Sequence, residues 1–94
     1  MREYETTYII PPAVGEEALP EIVEKYSRQV SESGGEVDNI KEWGLRKLAY
    51  EIDGKNEGYY ITMRFHSTPE AARELGRQFR LADNVLRGLI VRYN

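Results

Sequence analysis

Nucleophilic and acid–base chemistry find little to work with in this sequence. His66 is the only histidine and there is no cysteine. A thiolate nucleophile, a thiolate metal site and a disulfide are all excluded. The four serines, Ser27, Ser31, Ser33 and Ser67, lie outside any G-x-S-x-G elbow, and every Ser-His-acid set would have to share His66. A lone histidine without a second histidine or a cysteine is a poor nucleus for a metal cluster, and His66 reads as a solvent-facing residue near a strand end. Gly34-Gly35 lacks the rest of a phosphate-cradling loop. The expectation is a protein that is not an enzyme, with no cofactor and no metal.

The stretch Lys41-Glu42-Trp43-Gly44-Leu45-Arg46-Lys47-Leu48-Ala49-Tyr50 is different. It sets adjacent cations beside aromatic and apolar residues within one extended run. Arg and Lys pair with phosphate, and Trp or Tyr stacks on a base or anchors a protein contact. The same pattern also fits a plain amphipathic strand, with Leu45 and Leu48 inside and Arg46 and Lys47 solvated; the pattern alone does not choose. Arg64 and Arg87 bring further charge toward the same sheet. Gly58-Tyr59-Tyr60 matches the start of an aromatic RNA-recognition motif, but Glu57 stands where a cation is required and Ile61-Thr62-Met63-Arg64 does not continue it.

These residues must be held by six elements. Tyr4, Thr6, Tyr8 and Ile10 alternate on one face of a strand over 2–10, which Pro11-Pro12 stops. Leu19, Ile22, Val23, Tyr26 and Val30 form one stripe of a helix over 16–33; Pro20 requires the start to lie near Gly15 to Ala18, and Gly34-Gly35 supplies the stop. A long strand follows over 36–53. Val37 and Ile40 break its alternation and Gly44 marks a bulge. Asp53 to Gly58 reads as a turn and Tyr59 to His66 as a strand, with Tyr59, Ile61, Met63 and Phe65 on one face. Ser67-Thr68-Pro69-Glu70 opens a helix to about Arg80, buried through Ala71, Ala72, Leu75 and Phe79. Val85 to Arg92 is the last strand. The order β-α-β-β-α-β predicts a ferredoxin-like α+β fold, a four-stranded antiparallel sheet with both helices on one face and the other face open.

The 94 residues fit one domain over 1–94. Hydrophobic residues at 40% and charged residues at 31% place it among globular chains. Met1 to Glu5 has no apolar run for a signal peptide, and no stretch approaches the roughly 20 apolar residues of a membrane span. The net charge of −3 is divided unevenly. Residues 1–42 hold four Lys or Arg against ten Asp or Glu, a balance of −6, while residues 43–94 hold nine against six, a balance of +3. Such asymmetry points to a charged partner.

Four stretches together resemble a known family. They are Arg2-x-Tyr4-Glu5, Trp43-Gly44-Leu45-Arg46-Lys47-Leu48-Ala49-Tyr50-x-Ile52, Gly58-Tyr59-Tyr60 followed by Phe65, and Leu81-Ala82-Asp83-Asn84-Val85-Leu86-Arg87. In order and spacing they are similar to the sixth protein of the bacterial small ribosomal subunit. The resemblance implies a structural, cytoplasmic ribosomal protein with the ferredoxin-like fold. It also implies two partners, the central domain of 16S rRNA and the eighteenth small-subunit protein. Arg2, Arg46, Lys47 and Arg87 match basic family positions and would contact RNA; Trp43 and Tyr50 would contact the partner protein or RNA. Glu51 and Asp53 depart from the family pattern and set acids beside the central motif. The chain also stops at Asn94, short of the extension many members carry. The competing expectation is a small regulatory module that binds protein or a ligand on the open sheet face without RNA.

Overall fold

The computed structural model describes residues 1–93. Its elements are β1 (Arg2–Ile10), α1 (Leu19–Glu32), β2 (Glu36–Ile52), β3 (Lys55–Ser67), α2 (Pro69–Leu81) and β4 (Arg87–Arg92), with 3-10 turns at Pro12–Val14 and Glu16–Ala18. The strands form one sheet in the order β2-β3-β1-β4, antiparallel throughout. Both helices cover one face, where Leu19, Ile22, Val23, Tyr26 and Val30 of α1 and Ala72, Leu75 and Phe79 of α2 meet Tyr4, Tyr8, Ile10, Ile61, Met63 and Phe65 of the sheet. This is the expected β-α-β-β-α-β ferredoxin-like architecture.

Local chemistry sets the boundaries. The helix expected from residue 16 begins at Leu19. Proline has no N–H to give to a preceding turn, so a helix starting at 16 would need a donor that Pro20 lacks; starting at Leu19 leaves Pro20 in the first turn. At its other end Gly35 N–H bonds Val30 C=O at 3.0 Å and Gly34 N–H bonds Ser31 C=O at 3.1 Å. With Gly34 at φ +89°, this is a Schellman stop. Thr68 caps α2, its Oγ1 accepting from Ala71 N–H at 3.2 Å.

The turn between β2 and β3 is shorter than expected. Asp53 (φ 49°) and Gly54 (φ 75°) make a two-residue loop, and β3 begins at Lys55. Positive φ at both centres suits the right-handed twist of a hairpin. β4 begins at Arg87 and not at Val85, whose side chain is buried in the core, although Leu86 N–H already bonds Ile9 C=O at 2.8 Å.

β2 is the irregular strand. Its register against β3 shifts between Val37 and Asn39, between Glu42 and Gly44, and between Lys47 and Ile52. The last shift sets five steps of β2 against two of β3, so the end of β2 swings out of plane. That displacement shapes the open face.

Candidate functional site

Alternation along each strand sorts its side chains. With Tyr4, Thr6 and Tyr8 under the helices, β1 turns Glu3, Glu5, Thr7 and Ile9 to the open face, and β3 turns Tyr60, Thr62, Arg64 and His66 there. Leu89 and Val91 of β4 pair with Thr7 and Glu5 and are exposed. This face therefore mixes apolar, aromatic and charged groups with no helix over it.

Across it lies the end of β2. Leu48, Tyr50 and Ile52 bound a hollow of about 290 Å³ together with Ile9, Tyr60 and Arg87. Arg87 belongs to β4, at the far edge of the sheet from β2. Its Nη1 donates to the Tyr50 hydroxyl, and its guanidinium lies 5.7 Å from the centre of the Tyr50 ring. The displaced strand end thus reaches over two strands to touch the opposite edge, and Tyr50 remains 59% exposed.

A second hollow, about 310 Å³, lies between Trp43, Arg46, Tyr60 and Thr62. The bulge at Gly44 (φ +85°) turns Trp43 onto the open face, where its Nε1–H donates to Thr62 Oγ1 at 2.8 Å. Lys41 Nζ stands 3.8 Å from the centre of the Trp43 ring, a cation–π contact. Trp43 keeps 43% of its surface exposed. Lys47, opposite Glu57 on β3, is exposed.

The amphipathic reading of this strand is corrected. Leu45 is 46% exposed and Leu48 faces the open-face hollow, so neither enters the helix-side core. Strict alternation puts residues three apart on opposite faces: Leu45 pairs with Tyr59 on the helix side, and Leu48 lies in the irregular stretch between Lys47 and Ile52. Tyr59 and Tyr60 also divide: Tyr59 packs on the core and Tyr60 lines both open-face hollows.

Of the positions singled out from sequence, the structure gathers Trp43, Arg46, Tyr50 and Arg87 around the open face at one end of the sheet; Lys47, opposite Glu57, is exposed at the sheet edge on the side that Tyr59 shares. Arg2 stands apart. It pairs with Ser67, seven residues along β1 from Ile9, the partner of Arg87. At strand rise that separation is about 23 Å. Arg64 is already engaged: its Nε donates to Glu5 Oε2 at 3.0 Å and its guanidinium lies 4.0 Å from the centre of the Tyr93 ring. The hydrogen bond to Glu5 raises the guanidinium's pKa further.

Sequence reasoning did not single out Lys41 as a partner of Trp43, although their i, i+2 spacing in a strand was the available signal. It also did not connect Glu3 and Asp38 with His66, which come from three different strands and meet only in the folded sheet.

Comparison with known proteins agrees with this geometry. A family model described as ribosomal protein S6 matches residues 3–92. Small ribosomal subunit protein bS6 of Caldanaerobacter subterraneus subsp. tengcongensis is 49% identical over 92 residues, covering 98% of this chain and 97% of the relative. The protein of the same name from Thermoanaerobacter pseudethanolicus is 48% identical over 92 residues, with the same coverage. The crystal structure of 30S ribosomal protein S6 from Thermotoga maritima superimposes with a TM-score of 0.90 at 34% identity, covering 97% of this chain and 86% of that one. The chain belongs to the ribosomal protein S6 family and is a structural constituent of the cytoplasmic small ribosomal subunit, not an enzyme.

Proposed function

We propose that this chain is an assembly protein that binds the central domain of 16S rRNA jointly with the eighteenth small-subunit protein. The observation that carries the reading is the open face itself. Arg46 and Arg87 stand at one end of it among the aromatic rings of Trp43, Tyr50 and Tyr60, and Lys47 is exposed next to Arg46 in the chain. Cations beside exposed rings suit a backbone-and-stacking contact with RNA, and half-exposed aromatics at the edge of an apolar surface suit a protein contact. Arg46, Lys47 and Arg87 act on phosphate. Trp43 and Tyr50 contact the partner protein or RNA, and Arg2 makes a separate contact from the far end of β1.

The test is double charge reversal, Arg46→Glu with Lys47→Glu, in a filter-binding assay of the ternary complex across a salt series. The expected result is weaker binding and a salt slope shallower by about one unit for each phosphate no longer neutralised. Unchanged affinity and slope would remove these residues from the interface.

A further inference from the structure

At the end of the sheet remote from Arg46 and Arg87, three adjacent strands each turn one metal-binding side chain to the open face. Glu3 of β1 is the direct cross-strand partner of His66 of β3. Asp38 of β2 stands at the register shift between Val37 and Asn39, and the bulge brings its carboxylate beside the imidazole. One donor atom from each residue lies within 4.8 Å of the other two. His66 Nδ1 is 2.6 Å from Asp38 Oδ2, yet this buried nitrogen makes no hydrogen bond among the described residues. The carboxylate therefore faces the nitrogen off its N–H axis, an arrangement that leaves the ring's in-plane direction without a hydrogen-bond acceptor.

The donor set is one imidazole nitrogen and two carboxylate oxygens. Zn²⁺ accepts both ligand types, and three protein ligands leave a fourth position for water. At Zn–N and Zn–O bonds of about 2.0–2.2 Å, tetrahedral ligands stand roughly 3.4 Å apart. Holding the ion requires side-chain rotation that widens the 2.6 Å separation of Asp38 and His66 to this spacing and sets the Glu3 carboxylate at the same distance. Apart from Glu3 and Asp38, the two nearest charged neighbours of His66 on the sheet leave room for a cation. Arg64, one row along, is paired with Glu5, and Glu36 is the other cross-strand neighbour of His66.

We infer that Glu3, Asp38 and His66 form a binding site for a divalent transition-metal ion of the zinc class. The ion ties β1, β2 and β3 together at the end of the sheet where β2 leaves α1. The inference is independent of the RNA reading, since Glu3 is six residues along β1 from Ile9, about 20 Å at strand rise.

The experiment is calorimetric titration of Zn²⁺ into the untagged, chelator-treated full chain, with the His66 ring nitrogens followed by NMR. The expected result is saturable one-to-one binding, a shift of the His66 ring signals, a rise in Tm with Zn²⁺ concentration, and no displacement by excess Mg²⁺, which prefers an all-oxygen octahedron. Asp38→Asn, His66→Gln and Glu3→Gln should each weaken binding beyond the roughly 10–100-fold typical of losing an outer-shell partner. Asp83→Asn, on the distant loop before β4, should leave it unchanged. Thermal unfolding without metal shows whether each variant is folded. Failure to saturate at one equivalent, or wild-type affinity in folded His66→Gln, would overturn the site and leave only a close contact between Asp38 and His66.

Discussion

Tyr8 and Tyr26 meet edge to face beneath the sheet with ring centres 5.3 Å apart, and Phe79 lies 4.9 and 4.8 Å from them. The rings are well packed, but neither phenol oxygen finds a hydrogen-bond partner among the described residues. Thr6, equally buried on the same strand, shows the usual solution: its Oγ1 donates to Leu89 C=O at 2.8 Å. An unpaired buried hydroxyl costs about 1–3 kcal/mol. Tyr8→Phe should therefore leave stability unchanged or raise it by up to that amount, as read by urea unfolding; a drop of more than about 1 kcal/mol would show that the hydroxyl has a partner after all. Burial, with smaller repulsion from Tyr26 and Glu42, pushes the Tyr8 phenol well above its ordinary value of 10.0, and burial alone raises Tyr26. The folded state thus keeps phenolic protons that the unfolded chain releases. Stability is fully present below about pH 10 and falls as pH rises beyond it, more gently in Tyr8→Phe. The alternation of Tyr4, Thr6, Tyr8 and Ile10 made the inward face of β1 readable from sequence. Which hydroxyls would be satisfied was not readable, because Thr6's acceptor is 83 residues away.

At the scale of elements, the two helices and three of the strands follow from stripe and alternation, whereas β2 does not. Leu48 and Tyr50 lie in the stretch where five steps of β2 face two of β3, and that shift carries Tyr50 across to Arg87. Gly44 was legible as a bulge because a glycine within a strand has few other uses, but the direction in which the bulge turned Trp43 depended on Thr62. Two glycine substitutions separate the forces involved. At Gly44 an added Cβ meets nothing within 4 Å, but φ is +85°, so the penalty of Gly44→Ala is torsional, about 1–2 kcal/mol. At Gly88 an added Cβ would lie 2.5 Å from the Phe79 ring, so the penalty of Gly88→Ala is overpacking, about 1–3 kcal/mol. Both should lower the denaturation midpoint. Only Gly44→Ala should also shift Trp43 fluorescence, since it alone disturbs the bulge that holds the indole against Thr62. An unshifted Trp43 spectrum in a destabilised Gly44→Ala variant would mean that the bulge does not set the indole's position.

For the whole molecule, the charge division read along the chain becomes a division in space, though not a simple one. Glu16, Glu17, Glu21, Glu24 and Glu32 are exposed on or just before α1, on the helix layer. The cations of the second half are split. Arg73, Arg77 and Arg80 belong to α2, where Arg77 is paired with Glu74 at 2.9 Å, while Arg46 and Arg87 line the open face and Lys47 is exposed at the sheet edge. The surplus of +3 over residues 43–94 is therefore not concentrated on the surface proposed to meet RNA, and the molecule as a whole carries −3. Phosphate neutralisation and counterion release supply most of the affinity of nucleic-acid binding, so a few cations on an anionic body make a weak binder by themselves. The proposed reading then requires a division of labour. This chain contributes shape, an apolar and aromatic docking face and a small cationic end; the partner protein contributes the bulk of the positive charge. Electrophoretic mobility shifts on the rRNA junction at about 150 mM salt, where the screening length is about 8 Å, should show little binding by this chain alone. The pair should shift the RNA with a steep salt dependence. Tight, salt-sensitive binding by the isolated chain would mean that Arg46, Lys47 and Arg87 suffice, and that the partner's role is geometric rather than electrostatic.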